Sequence, residues 1–265
     1  MSPAPERQRT RRARPAPPSG DGRLPFANLI PNLVTVAAIA SGMTAIRMAI
    51  AGDLRLAALL IVLAAVLDTI DGFLARRLGV DGGIGAELDS LADFLDFGVA
   101  PALVLHAWIL HEMPRLGWIA VLAYVIACAL RLARFNVMAQ DLTAPAMRAG
   151  YFLGVPAPGG ALLALSPLFL SFALPGLAAP APELVGLVTV AVALLMVSRI
   201  PTWSFKALRV QRALVPFVIL GVALAGLLLL THTWAVLSTL ALLYAAMVLT
   251  AAARAAAGLI RGGGD

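Results

Sequence analysis

Eight long apolar runs constrain this chain more than any other feature. They cover about 30–51, 54–75, 91–111, 117–136, 154–174, 182–200, 213–231 and 234–256. A run of about 20 mainly apolar residues is long enough to cross the hydrocarbon core of a bilayer as a helix. The apolar residues are grouped in these runs and do not alternate with polar ones. Only 13% of the 265 residues are charged and 61% are hydrophobic, against about 25% charged in a soluble domain. The predicted fold is therefore all-α, a polytopic transmembrane helical bundle of about eight spans. Turn or polar signals such as "AGD", "GVDGG", "HEMPRLG" and "AQDLTAP" separate the runs.

Basic residues orient this bundle. With the N-terminus in the cytoplasm, seventeen of the twenty Lys and Arg residues fall on the cytoplasmic side. Only Arg55 and Arg115 fall outside, and Arg47 lies within the first span. That asymmetry is the positive-inside pattern, and it predicts an integral protein of the cytoplasmic membrane with both termini inside. Six arginines lie in the proline-rich first 27 residues. Beside a membrane body they read as a disordered basic cytoplasmic tail near anionic lipid, and not as a nucleic-acid arm. Residues 1–27 hold no apolar core long enough for a signal peptide. The single cysteine, Cys128, sits in an apolar run and reads as packing. His106, His111, His232 and most Trp and Tyr residues read as interfacial anchors.

Half of the acid is concentrated in one place. Asp68, Asp71, Asp81, Glu87, Asp89, Asp93 and Asp96 are seven of the fourteen carboxylates, and they fall between two of the most apolar runs. At about 100° per residue, Asp68, Asp71, Gly72, Ala75 and Arg76 share one face of the second helix. Gly85, Asp89, Asp93 and Asp96 share a face at the start of the third. The spacing brings Asp68, Asp71, Asp89 and Asp93 toward one point near the cytoplasmic surface, with a short glycine-rich turn between the helices. Such carboxylates repel one another and cost on the order of 3 kcal/mol each at membrane depth. A divalent cation would offset this cost. Hard oxygen ligands without His or Cys suit Mg²⁺ or Mn²⁺, and two such ions can clamp the oxygens of a phosphoryl group in transfer. Asp81 reads as a solvated loop residue.

These residues resemble the signature of the CDP-alcohol phosphatidyltransferase family, D-x2-D-G-x2-A-R-x8-G-x3-D-x3-D. Here it reads Asp68, Asp71, Gly72, Ala75, Arg76, Gly85, Asp89 and Asp93, with every spacing intact. The resemblance implies a six-helix catalytic core, usually in a homodimer, and transfer of a phosphatidyl group from a CDP-linked lipid to an alcohol with release of CMP. It implies metal ligation by Asp68, Asp71, Asp89 and Asp93, with two ions per site and Asp93 also as general base. It implies CDP contacts from Gly72, Ala75, Arg76 and Gly85. "PNLVT" at Pro31–Thr35 resembles the family's first-helix element and adds Asn32 and Thr35 to them. The stretches "GAELDSLADFLDFGVAPA", "RLARFNVMAQ", "FLGVPAPGGA" and "SRIPTWSFK" are similar to the branch that joins CDP-diacylglycerol to L-serine. Asp96 departs from that branch, which more often has Ser or Asn there.

The resemblance divides the chain into the tail at 1–27, a core at 28–212, and two additional helices with a short tail at 213–265. An amino-acid acceptor needs a cation for its carboxylate and an anion or carbonyl for its ammonium. Arg131 or Arg134 is the candidate for the first, and Glu87, Asp96 or Asn136 for the second. The competing readings are the same chemistry on a phosphorylated alcohol, such as glycerol 3-phosphate or an inositol phosphate, and a divalent-cation transporter.

Overall fold

The computed structural model describes residues 29–79, 84–140, 152–198, 201–202, 221 and 226–262. The basic tail, Asp81 and most of the seventh run lie outside the described residues. Nine α-helices make up the described architecture: α1 (Ile30–Ile50), α2 (Leu54–Leu78), α3 (Ile84–Phe94), α4 (Ala100–Trp108), α5 (Leu116–Gln140), α6 (Ala157–Ala164), α7 (Ser166–Ala173), α8 (Pro182–Val197) and α9 (Thr233–Gly262). A π turn, a 3₁₀ turn at Leu110–Glu112, helical residues 226–231 and a two-residue antiparallel pair, Phe152–Leu153 with Pro201–Thr202, are also present among the described residues. The all-α membrane fold expected from the apolar runs is the fold observed.

Among the described residues, four helices are long and apolar enough to cross a membrane: α1, α2, residues 116–138 of α5 and residues 233–254 of α9. The third and fifth runs are helical but interrupted, and proline explains both interruptions. In the third run a π turn, Leu95–Val99, joins α3 to α4. Pro101 has no N–H to give the Phe97 carbonyl four residues earlier; instead the Tyr124 hydroxyl donates to it at 2.8 Å. In the fifth run, Pro167 likewise leaves the Leu163 carbonyl without its helical donor, and the Ser166 hydroxyl supplies one at 2.7 Å. The chain bends there, between α6 and α7. The sixth run yields α8, which has 16 residues.

The α1–α2 seam fixes the geometry of the site. Ala38, Ser41, Gly42, Ala45 and Ala49 are buried on α1, and Ala57, Ala58, Ile61 and Ala64 on α2. Small residues let two membrane helices approach closely enough for dispersion and polar contacts to hold them. The Ser41 hydroxyl crosses this seam to the Leu60 carbonyl at 2.7 Å. Asp53 caps the start of α2, accepting from the Leu56 amide at 3.0 Å. Gly79, at φ 65°, closes its other end in the left-handed conformation that favours glycine. Elsewhere α5 packs on α8 and α9 on α7. The core includes Phe97, Leu105, Tyr124, Leu165, Phe169 and Met196, all essentially inaccessible. Tyr124 is thus a core residue and stands apart from the Trp and Tyr residues read as interfacial anchors. Arg47 is exposed in the last turn of α1, where a cation suits the helix dipole.

Candidate active site

The C-terminal turns of α2 and the first turns of α3 bring the acidic residues together. Carboxylate oxygens of Asp68, Asp71 and Asp89 lie within 4.8 Å of one another. Asp71 is buried; its Oδ2 accepts from the Thr35 hydroxyl at 2.7 Å, and its Oδ1 is buried without a partner. Asp93, one turn beyond Asp89, stands outside this tight group. Its carboxyl is within hydrogen-bonding reach of Asp68, and its Oδ1 is also buried and unpartnered. Asp89 precedes the third apolar run, and its carboxyl is pushed up to about 6. Burial is the main cause; the Asp68 and Asp71 charges add to it, and the Arg76 guanidinium opposes it. Orphaned acceptor oxygens converging from two helices are what a divalent cation with oxygen ligands requires. These residues fit such an ion, with Asp68, Asp71 and Asp89 as the first ligands and Asp93 beside them.

A cavity of about 280 Å³ opens next to the carboxylates. Its walls are Pro31, Asn32, Thr35, Asp71, Gly72, Ala75, Arg76, Gly85, Ala86 and Asp89. All six residues expected to contact CDP line it. A Cβ at Gly85 would stand 2.8 Å from Asn32 Oδ1, so a larger residue there would push the Asn32 side chain out of its place in the cavity wall. Ala86 was not among the expected residues; as an alanine in a motif gap it carries no chemical signal.

The expected acceptor residues separate. Arg131 is the guanidinium whose charge acts on Asp93. Arg134 instead donates to the Val197 carbonyl at 3.0 Å, closing the C-terminal end of α8. The Asn136 amide donates to the Ser90 hydroxyl at 3.0 Å and ties α5 to α3. Glu87 is exposed and lies outside the cavity wall. Asp96 is 1% exposed, lies against Gly42 and outside the cavity wall, and has a buried, unpartnered Oδ1.

Tyr124 is a supporting residue that the sequence reading missed. Pro101, four residues after Phe97, is the signal that a carbonyl there needs an outside donor. Because the π turn begins immediately after Asp93 and Phe94, the Tyr124 bond fixes the helix segment that carries Asp93. Tyr124→Phe is expected to slow turnover roughly tenfold, the worth of about one buried hydrogen bond, with little change in KM for the lipid. Steady-state kinetics on the folded variant checks this.

A family profile described as CDP-alcohol phosphatidyltransferase matches residues 28–183. A Mycobacterium leprae protein named CDP-diacylglycerol–serine O-phosphatidyltransferase is 48% identical over 134 residues, 51% of this chain and 44% of that protein. A Helicobacter pylori protein of the same name is 37% identical over 135 residues, 51% of this chain and 55% of its own length. A Bacillus subtilis protein, again of that name, is 32% identical over 179 residues, covering 68% of this chain and 92% of that protein. The chain thus spans about half the length of the mycobacterial and Helicobacter relatives and nearly all of the Bacillus one.

Proposed function

The chain belongs to the CDP-alcohol phosphatidyltransferase family, and from that premise we propose that it transfers the phosphatidyl group of CDP-diacylglycerol to L-serine. The observation that carries this reading is the cavity wall. The signature residues from α2 and α3 and the Asn32–Thr35 element of α1 surround one space beside three clustered carboxylates. The names of the relatives favour serine as the acceptor.

In this reading the serine hydroxyl gives its proton to Asp93, since the hydroxyl is a poor nucleophile without a positioned base. Its oxygen forms a bond to the lipid-linked phosphorus. The pyrophosphate bond breaks, and CMP leaves with the bridging oxygen. Arg76 pairs with a phosphate of the nucleotide, while Gly72, Ala75 and Gly85 give the nucleotide room. Asp68, Asp71 and Asp89 would hold the divalent cation, Mg²⁺ or Mn²⁺, and Asp93 would complete a two-ion site. When bound, such ions neutralise charge on the transferring phosphoryl group.

Arg131 receives the serine carboxylate, because its charge acts on Asp93 while Arg134 is engaged by the Val197 carbonyl. Arg131→Ala is expected to raise the KM for serine far more than that for CDP-diacylglycerol. Arg134→Ala should act through stability, since it frees the Val197 carbonyl. A phosphorylated acceptor calls for more than one cation at the site, and the engagement of Arg134 elsewhere disfavours it. A cation transporter has no use for Gly72, Ala75 and Arg76 around a nucleotide-sized space. The decisive assay supplies purified protein with CDP-diacylglycerol and labelled serine, glycerol 3-phosphate or inositol phosphate, and resolves the product lipids. Equal or better use of a phosphorylated alcohol overturns the serine reading.

We further place the site at the cytoplasmic face of the cytoplasmic membrane, with residues 28–212 as the catalytic core, 213–265 as added helices and two copies per assembly. The 17-to-2 basic asymmetry supports the orientation. Cysteines introduced at Glu112, Glu183 and His232 are expected to react with impermeant reagents added outside intact cells. Reaction only after the cytoplasmic side is opened reverses the orientation.

A further inference from the structure

A second cavity, of about 350 Å³, lies at the end of the bundle remote from the carboxylates. It opens between α7, the loop after it, the start of α8 and the start of α9. Its wall is apolar except for three serines, Ser166, Ser171 and Ser238. The first two donate to helix carbonyls, of Leu163 and Leu168, each at 2.7 Å. Ser238 does not. It is 4% exposed, and its hydroxyl is buried without a partner, alone in this among the described serines. A buried hydroxyl without an acceptor is costly, so this one points to a ligand that brings an acceptor.

A cation stands close by. One turn before Ser238, Trp234 packs edge-on to Phe172 at 4.7 Å, and the Arg55 guanidinium lies 5.4 Å over the Phe172 ring. Phe172 follows Ser171 of the cavity wall. Arg55 is exposed and pairs with no carboxylate among the described residues. It sits in the first turn of α2, about 20 Å along that helix from Asp68, so it plays no part in the site already described. Arginine at this end of the bundle also runs against the general distribution of positive charge along the chain.

We propose that this crevice is a binding site for an anionic phospholipid of the surrounding bilayer. A cation beside the crevice, a single unpartnered donor in its wall and an apolar space match the groups of such a lipid. Arg55 takes the phosphate, Ser238 donates to an ester carbonyl, and one acyl chain enters the apolar space beside Leu170, Leu184 and Leu242. The crevice is too small for a second helix, and its single donor suits an ester, which accepts and does not donate. The site is separate from the transfer chemistry, and its standing does not depend on the choice of acceptor alcohol.

The test uses the full chain in nanodiscs containing phosphatidylglycerol with a photoreactive diazirine on one acyl chain, with labelled residues mapped by mass spectrometry. Residues 166–171, 184–188 and 238–242 are expected to be labelled above Leu122 and Ile126, exposed apolar residues of α5. Ser238→Ala should lower crevice labelling about threefold to tenfold, the loss of one hydrogen bond. Arg55→Gln should lower it more for phosphatidylglycerol than for a phosphatidylethanolamine probe, whose ammonium offsets the charge of its phosphate. Ala178→Phe, which fills the space, should abolish crevice labelling and leave CMP release unchanged. Label spread evenly over all lipid-facing residues of the wild type overturns the proposal. So does disulfide formation between two copies carrying Leu184→Cys, which would assign the face to a second copy of the chain.

Discussion

Asp71→Asn is expected to reduce phosphatidyl transfer by more than about 10²–10³-fold, the cost of removing one preorganised electrostatic contact from an active site. Asp71 is 3% exposed, and one of its oxygens is already committed to Thr35 while the other waits without a partner. An amide there keeps the shape but offers an N–H₂ group or a neutral oxygen to a cation. Asp68→Asn and Asp89→Asn should have the same effect, and EDTA should reproduce it in the wild type. The effect is on the site and not on folding. Asp89 titrates near 6 instead of its ordinary 3.8. In the cation-free protein this carboxyl therefore favours the fold at low pH, and that contribution is lost as pH rises through 6. Removing its charge should leave the Tm in EDTA at pH 7 unchanged or raised. Below pH 6 a proton competes for Asp89, so the Mn²⁺ concentration giving half-maximal activity should climb as pH falls. Full turnover in EDTA would reject the metal site.

Asp93→Asn should lower kcat by about 10²–10⁴, the usual contribution of one positioned base. Binding of CDP-diacylglycerol should survive better than turnover, because Asp93 does not line the nucleotide cavity. Since Asp93 also lies beside the metal-binding carboxylates, Mn²⁺ affinity has to be measured on the same variant. A kcat loss with near-normal Mn²⁺ affinity identifies a base. Parallel loss of both identifies a ligand. Normal turnover moves the base elsewhere, with Glu87 or Asp96 next in line.

The membrane class, the helical fold and the acidic centre were all legible in the sequence, because each rests on a period or a run length. Asp68, Asp71 and Asp89 meet because a helix repeats every 3.6 residues. The breaks inside the third and fifth runs were not legible as breaks, although Pro101 and Pro167 mark them. An apolar count treats proline as one more apolar residue, whereas the backbone loses a donor. The acceptor candidates were legible only as a set. Helical spacing put Arg131, Arg134 and Asn136 at the same end of α5. Which of them is free depends on what α3 and α8 present to each, namely Ser90 and the Val197 carbonyl. Tyr124 was missed for a similar reason, since the partner it serves is a backbone carbonyl on another helix.

The contact between Gly42 and Asp96 constrains how this chain can change over generations. A Cβ at position 42 would collide with Asp96 Oδ1. The cavity for that carboxyl is therefore made by a missing side chain on a neighbouring helix. Gly42→Ala alone should be severely destabilising, while Asp96→Ser alone should be mild and should make room for Gly42→Ala. The double substitution is then expected to be more stable than the sum of the singles, a coupling between residues in contact. Only one order of mutational steps is open: position 96 must shrink before position 42 can grow. Once position 42 has grown, a carboxylate can return to 96 only after glycine returns to 42, so each residue holds the other's past in place.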